Sequence, residues 1–419
     1  MEKFIINGGN KLCGRFTVQS AKNSILPLIS ASIIKSGKTR ILRCPKINDV
    51  IVMCEIIRSL GGSYEFDGDV LLLDTEKVSS WVMPKQLTQE IRASLFTVGA
   101  LICRFGYASI YMPGGCNIGE RPIDIHVDGL RAIGVNVTEN EERIFSGNRL
   151  LAREVTLRFP SVGATENLMM ASLRAKGITV LKNCAKEPEI VDLQRYLNLI
   201  GAKISGAGTG VIKIEGGITP CKEDVEFLPS SDRIELGTVL YAAASVGGEL
   251  EIESEEIKNS DFISKLFKNN ACKIHNINGN IYYIGFSRPA VGFGRVATGP
   301  YPEFPTDLQP QLTACACSSV GVTAVIERVF PNRFAYVEQL RLFGARADVF
   351  ANACIIEGGR LHGAKVTAGD LRGGASLIIG ALSAEGESEI RNVSHVDRGY
   401  YKLEDKLSAL GAKIRRERY

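Results

Sequence analysis

The sequence predicts an α/β protein of two similar domains, each of three repeated units with helices turned inward and small sheets outside. Two markers carry that prediction. An apolar-periodic helix ending in a turn before a strand recurs at Leu60-Gly61-Gly62, Ile133-Gly134-Val135, Ile200-Gly201-Ala202, Asn269-Asn270-Ala271, Phe343-Gly344-Ala345 and Leu410-Gly411-Ala412, at intervals of 73, 67, 69, 74 and 67 residues. A helix stopped by glycine before a β-rich run recurs at Gly37, Gly106, Gly177, Gly248, Gly321 and Gly386, at intervals of 69, 71, 71, 73 and 65. Glycine suits both positions because helices commonly end in a left-handed residue. Units of about 70 residues are longer than solenoid repeats of roughly 20–50, and they are too β-rich for a helical bundle.

In chain order, the strand-like Phe4-Ile5-Ile6 precedes the first repeat's helix and has no repeat of its own to complete. It is expected to join the last repeat, so that the chain crosses between domains twice. The join between the third and fourth repeats is expected near Leu228-Pro229-Ser230-Ser231, where Pro and paired Ser interrupt the pattern. One domain would then span 22–229 and the other 1–21 with 230–419. The segment Pro113-Gly114-Gly115-Cys116-Asn117-Ile118-Gly119 reads as a long exposed loop. Pro122 is placed at the first turn of the helix that follows, with Ile123, Val127 and Leu130 on its buried face. Cys116 and Arg121 would thus ride on a mobile lid, where neighbouring cations lower a thiol's pKa.

About 15 residues before each second-marker glycine a helix is expected to begin: at Ser20-Ala21-Lys22-Asn23, Gln89-Glu90-Ile91-Arg92, Ser161-Val162-Gly163-Ala164-Thr165, Ser231-Asp232-Arg233, Phe304-Pro305-Thr306-Asp307 and Gly369-Asp370-Leu371-Arg372. Capping explains the Ser, Thr and Asp. It does not explain Lys22, Arg92, Arg233 and Arg372, because cations are unfavourable at a helix N-terminus. An anion there would satisfy both, since free helix N–H groups bind phosphate and carboxylate and arginine adds a bidentate fork. Two clusters of such ends facing across a cleft imply a polyanionic small-molecule ligand. Asn332-Arg333-Phe334 and Asp397-Arg398-Gly399 add cations to the set. Asp307 is the one carboxylate of the set whose own segment carries no cation, and cationic neighbours would keep it ionised, so it is the candidate general base.

Composition excludes other classes. Fifty Lys and Arg against 46 Asp and Glu give a net charge of +4, too balanced for a dedicated nucleic-acid or polybasic membrane binder. No apolar run reaches the ~18 residues of a membrane span, and Met1-Glu2-Lys3-Phe4 lacks a signal-peptide core. Eleven scattered cysteines read as reduced thiols in a cytoplasmic protein. Four histidines, with none near Cys315 and Cys317, argue against a zinc or haem site, so no metal is expected.

These segments resemble the enolpyruvyl transferases, in particular the branch that acts on nucleotide sugars. The likeness rests on Ala21-Lys22-Asn23, Pro113-Gly114-Gly115-Cys116 with Gly119 and Arg121-Pro122, Pro160 to Thr165, Phe304 to Asp307, Asn332-Arg333-Phe334, Asp370-Leu371-Arg372 and Asp397-Arg398-Gly399-Tyr400. It implies the family's inside-out barrel, with two such domains closing on each other. It also implies transfer of the enolpyruvyl group of phosphoenolpyruvate to the 3-hydroxyl of UDP-N-acetylglucosamine, with release of phosphate and no cofactor. Cys116 would protonate the donor's methylene carbon and bond covalently to it, and Asp307 would take the sugar's hydroxyl proton. Lys22, Arg121 and Arg398 would hold the donor's phosphate and carboxylate, with Arg92 and Arg372 near, and Arg333 would be a further substrate-binding residue. Asn23, Arg92, Asp307 and Val329 would contact the nucleotide sugar. Arg121, Pro122, Ile123, Asp124 and Ile125 would line a uracil pocket, and Ser161, Val162 and Gly163 would meet the diphosphate. Sensitivity to epoxides of the fosfomycin type is implied by the cysteine. Gln19-Ser20, Gly373-Gly374 and Ser230-Ser231 depart from the family pattern. Two rival readings are a shikimate-type enolpyruvyl transferase and a non-catalytic nucleotide-sugar sensor.

Overall fold

The computed structural model describes residues 2–114, 122–138, 140–259 (259 through its backbone), 263, 266, 272–287 and 290–419. Contacts divide these residues into two halves, which part at Gln19/Ser20 and again at Ser230/Ser231. One half runs from 20 to 230; the other combines 2–19 with 231–419.

Each half carries three small sheets. In the 20–230 half the strand orders are Val225–Phe227, Lys38–Ile41, Val70–Asp74, Ser63–Asp67; then Tyr107–Tyr111, Glu142–Ser146, Asn136–Val137; then Lys203–Ser205, Val211–Gly216, Gly177–Lys182, Glu154–Thr156. In the other half they are Cys272–Asn278, Ile281–Phe286, Gly248–Glu253, Leu12–Thr17; then Gly294–Ala297, Val322–Ile326, Ala353–Glu357, Arg346–Phe350; then Lys365–Thr367, Glu387–Arg391, Glu2–Asn7, Lys413–Arg418. Every four-stranded sheet has one parallel pairing at an edge and antiparallel pairings elsewhere. In the last sheet Glu2–Asn7 occupies the inner position that a strand late in its own repeat fills elsewhere, pairing with both Glu387–Arg391 and Lys413–Arg418.

Behind the sheets lie the helices that the second-marker glycines follow; only Gly106 is itself the cap, and elsewhere the helix ends up to six residues earlier. Arg233–Val246, Gln309–Cys317 and Leu371–Ser383 pack against one another and are buried almost throughout. In the other half Thr97–Phe105 packs against both Lys22–Ala31 and Val162–Ser172, and Ile25, Leu28, Val98, Leu101, Leu168 and Met169 are buried. Helices apolar on every side can be stable only inside a core. Sheets such as Val322–Ile326 instead alternate buried and more exposed residues, as one-sided sheets do. The six second-marker glycines all have positive φ, from 78° to 144°, a region that a Cβ makes costly.

Two expectations are corrected. No continuous helix starts at Gln89: Lys85–Glu90 is a separate short helix, Ile91 is extended, and Arg92 opens a 3₁₀ turn that leads into Thr97–Phe105. Pro122 is not in the first turn of its helix. That helix is Asp124–Ala132, and the Asp124 carboxylate accepts the Ile125 N–H there. No helix among the described residues is long and apolar enough to cross a membrane.

One side chain ties the first two repeats together. Arg104 Nη1 donates to the carbonyls of Ile33 and Thr75 at 2.9 Å and of Lys35 at 3.3 Å, and Nη2 donates to Val78 O at 2.9 Å. Arg104→Met leaves these carbonyls without their donor and should cost about 3 kcal/mol, since hydrogen bonds to charged groups contribute ~1.5–3 each. Urea unfolding measures it; a loss below ~1 kcal/mol would mean that water replaces the guanidinium.

Candidate functional site

In the 20–230 half, Lys22 is the first residue of its helix, preceded by Ala21, which offers no side-chain cap. Its ammonium would oppose the helix dipole alone. It lies 2.6 Å from Asp49 Oδ2, and both side chains are nearly buried. Asp49 comes from the first turn of the helix Asn48–Ser59. Asn23 follows Lys22 and is partly exposed.

The helix Lys22–Ala31 packs on the 3₁₀ turn that begins at Arg92. Arg92 Nη2 donates to Pro122 O at 3.1 Å. Pro122 is exposed, Ile123 is buried, and Asp124 and Ile125 are partly exposed. Asp124 also pairs with Arg158. Ser161 caps Val162–Ser172, its Oγ accepting the Ala164 N–H at 3.3 Å.

Gly163 is a close-approach position, where a Cβ would fall 2.9 Å from His126 Cε1 and 3.0 Å from Phe96 Cε1. Asn167 explains the ring's place. Its Oδ1 accepts the Gly99 N–H, so its Nδ2 is the donor at 2.9 Å from His126 Nδ1. His126 therefore accepts on Nδ1 and carries its proton on Nε2. The helix start at Ser161, the segment 122–126 and Arg92 are thus one cluster.

In the other half the cluster centres on Asp307, in the 3₁₀ turn Thr306–Leu308 ahead of Gln309–Cys317. Arg333 Nη2 donates to Asp307 Oδ1 at 2.8 Å, and Arg372 donates to Oδ2 through Nε at 3.2 Å and Nη2 at 3.1 Å. The two arginine side chains are 3% and 5% exposed and the carboxylate 30%, so the carboxylate is the accessible member. Burial opposes the charge of Arg372, but Tyr400, Asp307 and Asp232 outweigh it and raise its pKa above the usual guanidinium value. Asp370 caps the helix that carries Arg372, accepting the N–H groups of Arg372 and Gly373.

Val329 is placed by a buried carboxylate. Glu327 Oε1 accepts from Thr298 Oγ1 and the Val329 N–H at 2.8 Å, and Oε2 accepts from Thr306 Oγ1 at 3.0 Å. Glu327 thereby joins the Val329 turn to the Asp307 turn. Arg398 follows the short helix Ser394–Asp397 and is partly exposed. Cys116 and Arg121 lie outside the described residues. Among the described residues no group of three or more His, Cys, Asp or Glu is placed to hold a metal.

Sequence reasoning missed Asp49, Glu327, His126 and Asn167. A first-turn Asp such as Asp49 is indistinguishable from a capping residue until its partner is known. It also missed Glu166, just after the Ser161–Thr165 segment. This carboxyl is fully buried, and neither oxygen has a partner among the described residues. Burial first, then the charges of Glu189 and Glu187, push its pKa well above the ordinary carboxylate range. A carboxyl with a raised folded-state pKa costs stability as pH climbs from its unfolded value through the folded one. Glu166→Gln should therefore gain on the wild type as pH rises above the ordinary carboxylate range, by on the order of 1 kcal/mol per pH unit. Chemical unfolding at several pH values measures it; a difference constant with pH would contradict the buried neutral acid.

Comparison with known proteins agrees with the fold. A family model described as EPSP synthase (3-phosphoshikimate 1-carboxyvinyltransferase) matches residues 6–407. The chain is 43% identical over 416 residues to UDP-N-acetylglucosamine 1-carboxyvinyltransferase 2 of Caldanaerobacter subterraneus subsp. tengcongensis, covering 99% of each chain. It is 40% identical to UDP-N-acetylglucosamine 1-carboxyvinyltransferase of Halothermothrix orenii, covering 99% of this chain and 100% of the relative. Among solved structures, the enolpyruvyl transferase NikO from Streptomyces tendae superposes with a TM-score of 0.88 at 24% identity, over 99% of this chain and 98% of the other. EPSP synthase from Acinetobacter baumannii superposes with a TM-score of 0.76 at 17% identity over the whole of both chains.

Proposed function

Because the chain belongs to the EPSP synthase family of enolpyruvyl transferases, we propose that it transfers the enolpyruvyl group of phosphoenolpyruvate to the 3-hydroxyl of UDP-N-acetylglucosamine. The observation that carries the choice of acceptor is 43% identity along 99% of a UDP-N-acetylglucosamine 1-carboxyvinyltransferase. EPSP synthase structures share the fold at 17–18% identity. The product feeds peptidoglycan synthesis, and the reaction belongs in the cytoplasm, where both substrates are found.

The chemistry is addition followed by elimination. The 3-hydroxyl oxygen bonds to C2 of the donor as its proton passes to Asp307, and C3 receives a proton from Cys116. The resulting tetrahedral ketal then loses a proton from C3 and expels phosphate, restoring the double bond. Lys22, Arg121 and Arg398 hold the donor's phosphate and carboxylate, with Arg92 nearby. Asn23, Ser161 to Gly163, Pro122 to Ile125 and Val329 receive the nucleotide sugar.

The geometry adds a point about Asp307. A carboxylate gripped by two arginines is a poor base, and the Asp307 oxygens accept from both Arg333 and Arg372. A donor anion that draws on Arg372 would release one oxygen to accept the hydroxyl proton. The base would then be strengthened by the substrate with which it acts.

Phosphate release from phosphoenolpyruvate with UDP-N-acetylglucosamine, set beside release with 3-phosphoshikimate, tests the function. Turnover with the nucleotide sugar alone supports it, and turnover only with 3-phosphoshikimate overturns it. Tight nucleotide-sugar binding with no phosphate release would instead identify a sensor. Asp307→Asn should still bind UDP-N-acetylglucosamine but lose ~10²–10⁴-fold in turnover, the usual worth of a general base. Near wild-type turnover would remove Asp307 from the chemistry.

A further inference from the structure

Outside both clusters, the last strand holds an arginine that gathers three carboxylates. Arg416 Nη2 donates to Asp397 Oδ1 at 2.7 Å and Nη1 to Asp397 Oδ2 at 2.9 Å, a fork on a fork. Nε donates to Glu404 Oε1 at 2.6 Å, and Nη1 also reaches Glu2 Oε2 at 2.8 Å. The guanidinium lies 4.8 Å from the centroid of the Phe4 ring. Its hydrogen bond to Asp397 is the leading reason that its pKa stands above the usual guanidinium value.

Asp397 directly precedes Arg398. The next residues are also tied down. Gly399 O accepts from Gln19 Nε2 at 3.3 Å, and a Cβ on Gly399 would fall 2.8 Å from Leu371 Cδ2. Tyr400 OH is 2.8 Å from Thr238 Oγ1 and accepts from Gln311 Nε2 at 3.1 Å. The backbone on both sides of Arg398 is thus fixed by contacts beneath the turn. With both oxygens engaged by Arg416, Asp397 is a tether and not a base.

On the reading that Arg398 holds the donor, we propose that Arg416 is a positioning residue for phosphoenolpyruvate, acting through Asp397 on the turn that carries Arg398. Fixing the backbone of an anion-binding arginine removes ordering that the ligand would otherwise have to impose. Partly exposed ion pairs often contribute little to stability, so the rival view is that this network only staples the terminal strand. The two views differ in what they predict for the substrates.

The test uses the full-length protein, with steady-state kinetics for each substrate and urea unfolding. Arg416→Gln should lower kcat/KM for phosphoenolpyruvate by about 10- to 100-fold, since a misplacement of about 1 Å can cost on the order of 100-fold. It should leave the KM for UDP-N-acetylglucosamine within about twofold. Arg416→Lys keeps the charge but not the fork, so it should recover part of the loss, and it serves if the Gln variant folds poorly. Glu2→Gln removes a strand staple that does not touch Asp397, and should leave both substrates unaffected. Arg416→Gln combined with Arg398→Ala should weaken the donor no further than Arg398→Ala alone. Equal losses for both substrates, or losses that multiply in the double variant, would overturn the proposal. Arg398→Ala with no effect on the donor would overturn the reading of Arg398 as well. A strong Arg398→Ala effect beside a silent Arg416→Gln would overturn the positioning role alone.

Discussion

The clasp of Asp307 between Arg333 and Arg372 is the interaction around which the 231–419 half is arranged. Buried charges are costly unless paired and hydrogen bonded, so both arginines need the carboxylate and the carboxylate needs a fixed place. The fold supplies one from below. The Arg372 guanidinium lies 5.4 Å from the centroid of the Tyr400 ring, and the Tyr400 hydroxyl joins Thr238 and Gln311. Thr238, Gln311 and Arg372 belong one each to the three packed helices of this half. A polar path through an apolar helix core therefore ends at the proposed base. Glu327 adds a second support by tying the Thr306 hydroxyl to the Val329 turn.

The architecture was legible because its punctuation is chemical. A glycine with positive φ after each core helix leaves a mark every 65–73 residues, and strand and helix periodicity fill the intervals. Local helix starts were less legible. Arg92 and Asp307 sit in 3₁₀ turns ahead of their α-helices, and the helical apolar pattern does not mark that change of pitch. Partners distant in sequence could not be read at all. Cations at helix starts suggested a bound anion, and in the structure Lys22 and Arg372 meet protein carboxylates, Asp49 and Asp307. The Lys22 partner lies 27 residues away and the Arg372 partner 65.

Gln19 has a physical role at the end of its half. It donates its backbone N–H to Glu235 Oε2 at 2.8 Å, and its carbonyl accepts the Asp232 N–H at 2.8 Å. Its side chain reaches Gly399 O and accepts from Lys406 Nζ at 3.3 Å. Glu235 is fully buried, and burial raises its pKa while Lys406 pulls it down. The residue at which the chain leaves this half is therefore bonded to the turn that carries Arg398. On the far side, Asp192 accepts from Ser24 Oγ and from the Ser230 N–H and hydroxyl. At both passages the chain is fastened to its own half by a buried carboxylate.

The central claim, enolpyruvyl transfer to the nucleotide sugar through a tetrahedral ketal, is tested most directly by the isotopic fate of the donor's C3. The reaction would be run in deuterium oxide with phosphoenolpyruvate and UDP-N-acetylglucosamine, and the enolpyruvyl ether isolated for mass spectrometry and proton NMR. Addition followed by elimination makes C3 a methyl group for part of its life, so the account predicts deuterium in the product's vinyl methylene. An enolpyruvyl ether formed at full rate without deuterium there would show that C3 is never protonated, and would contradict the mechanism assigned to Cys116 and Asp307.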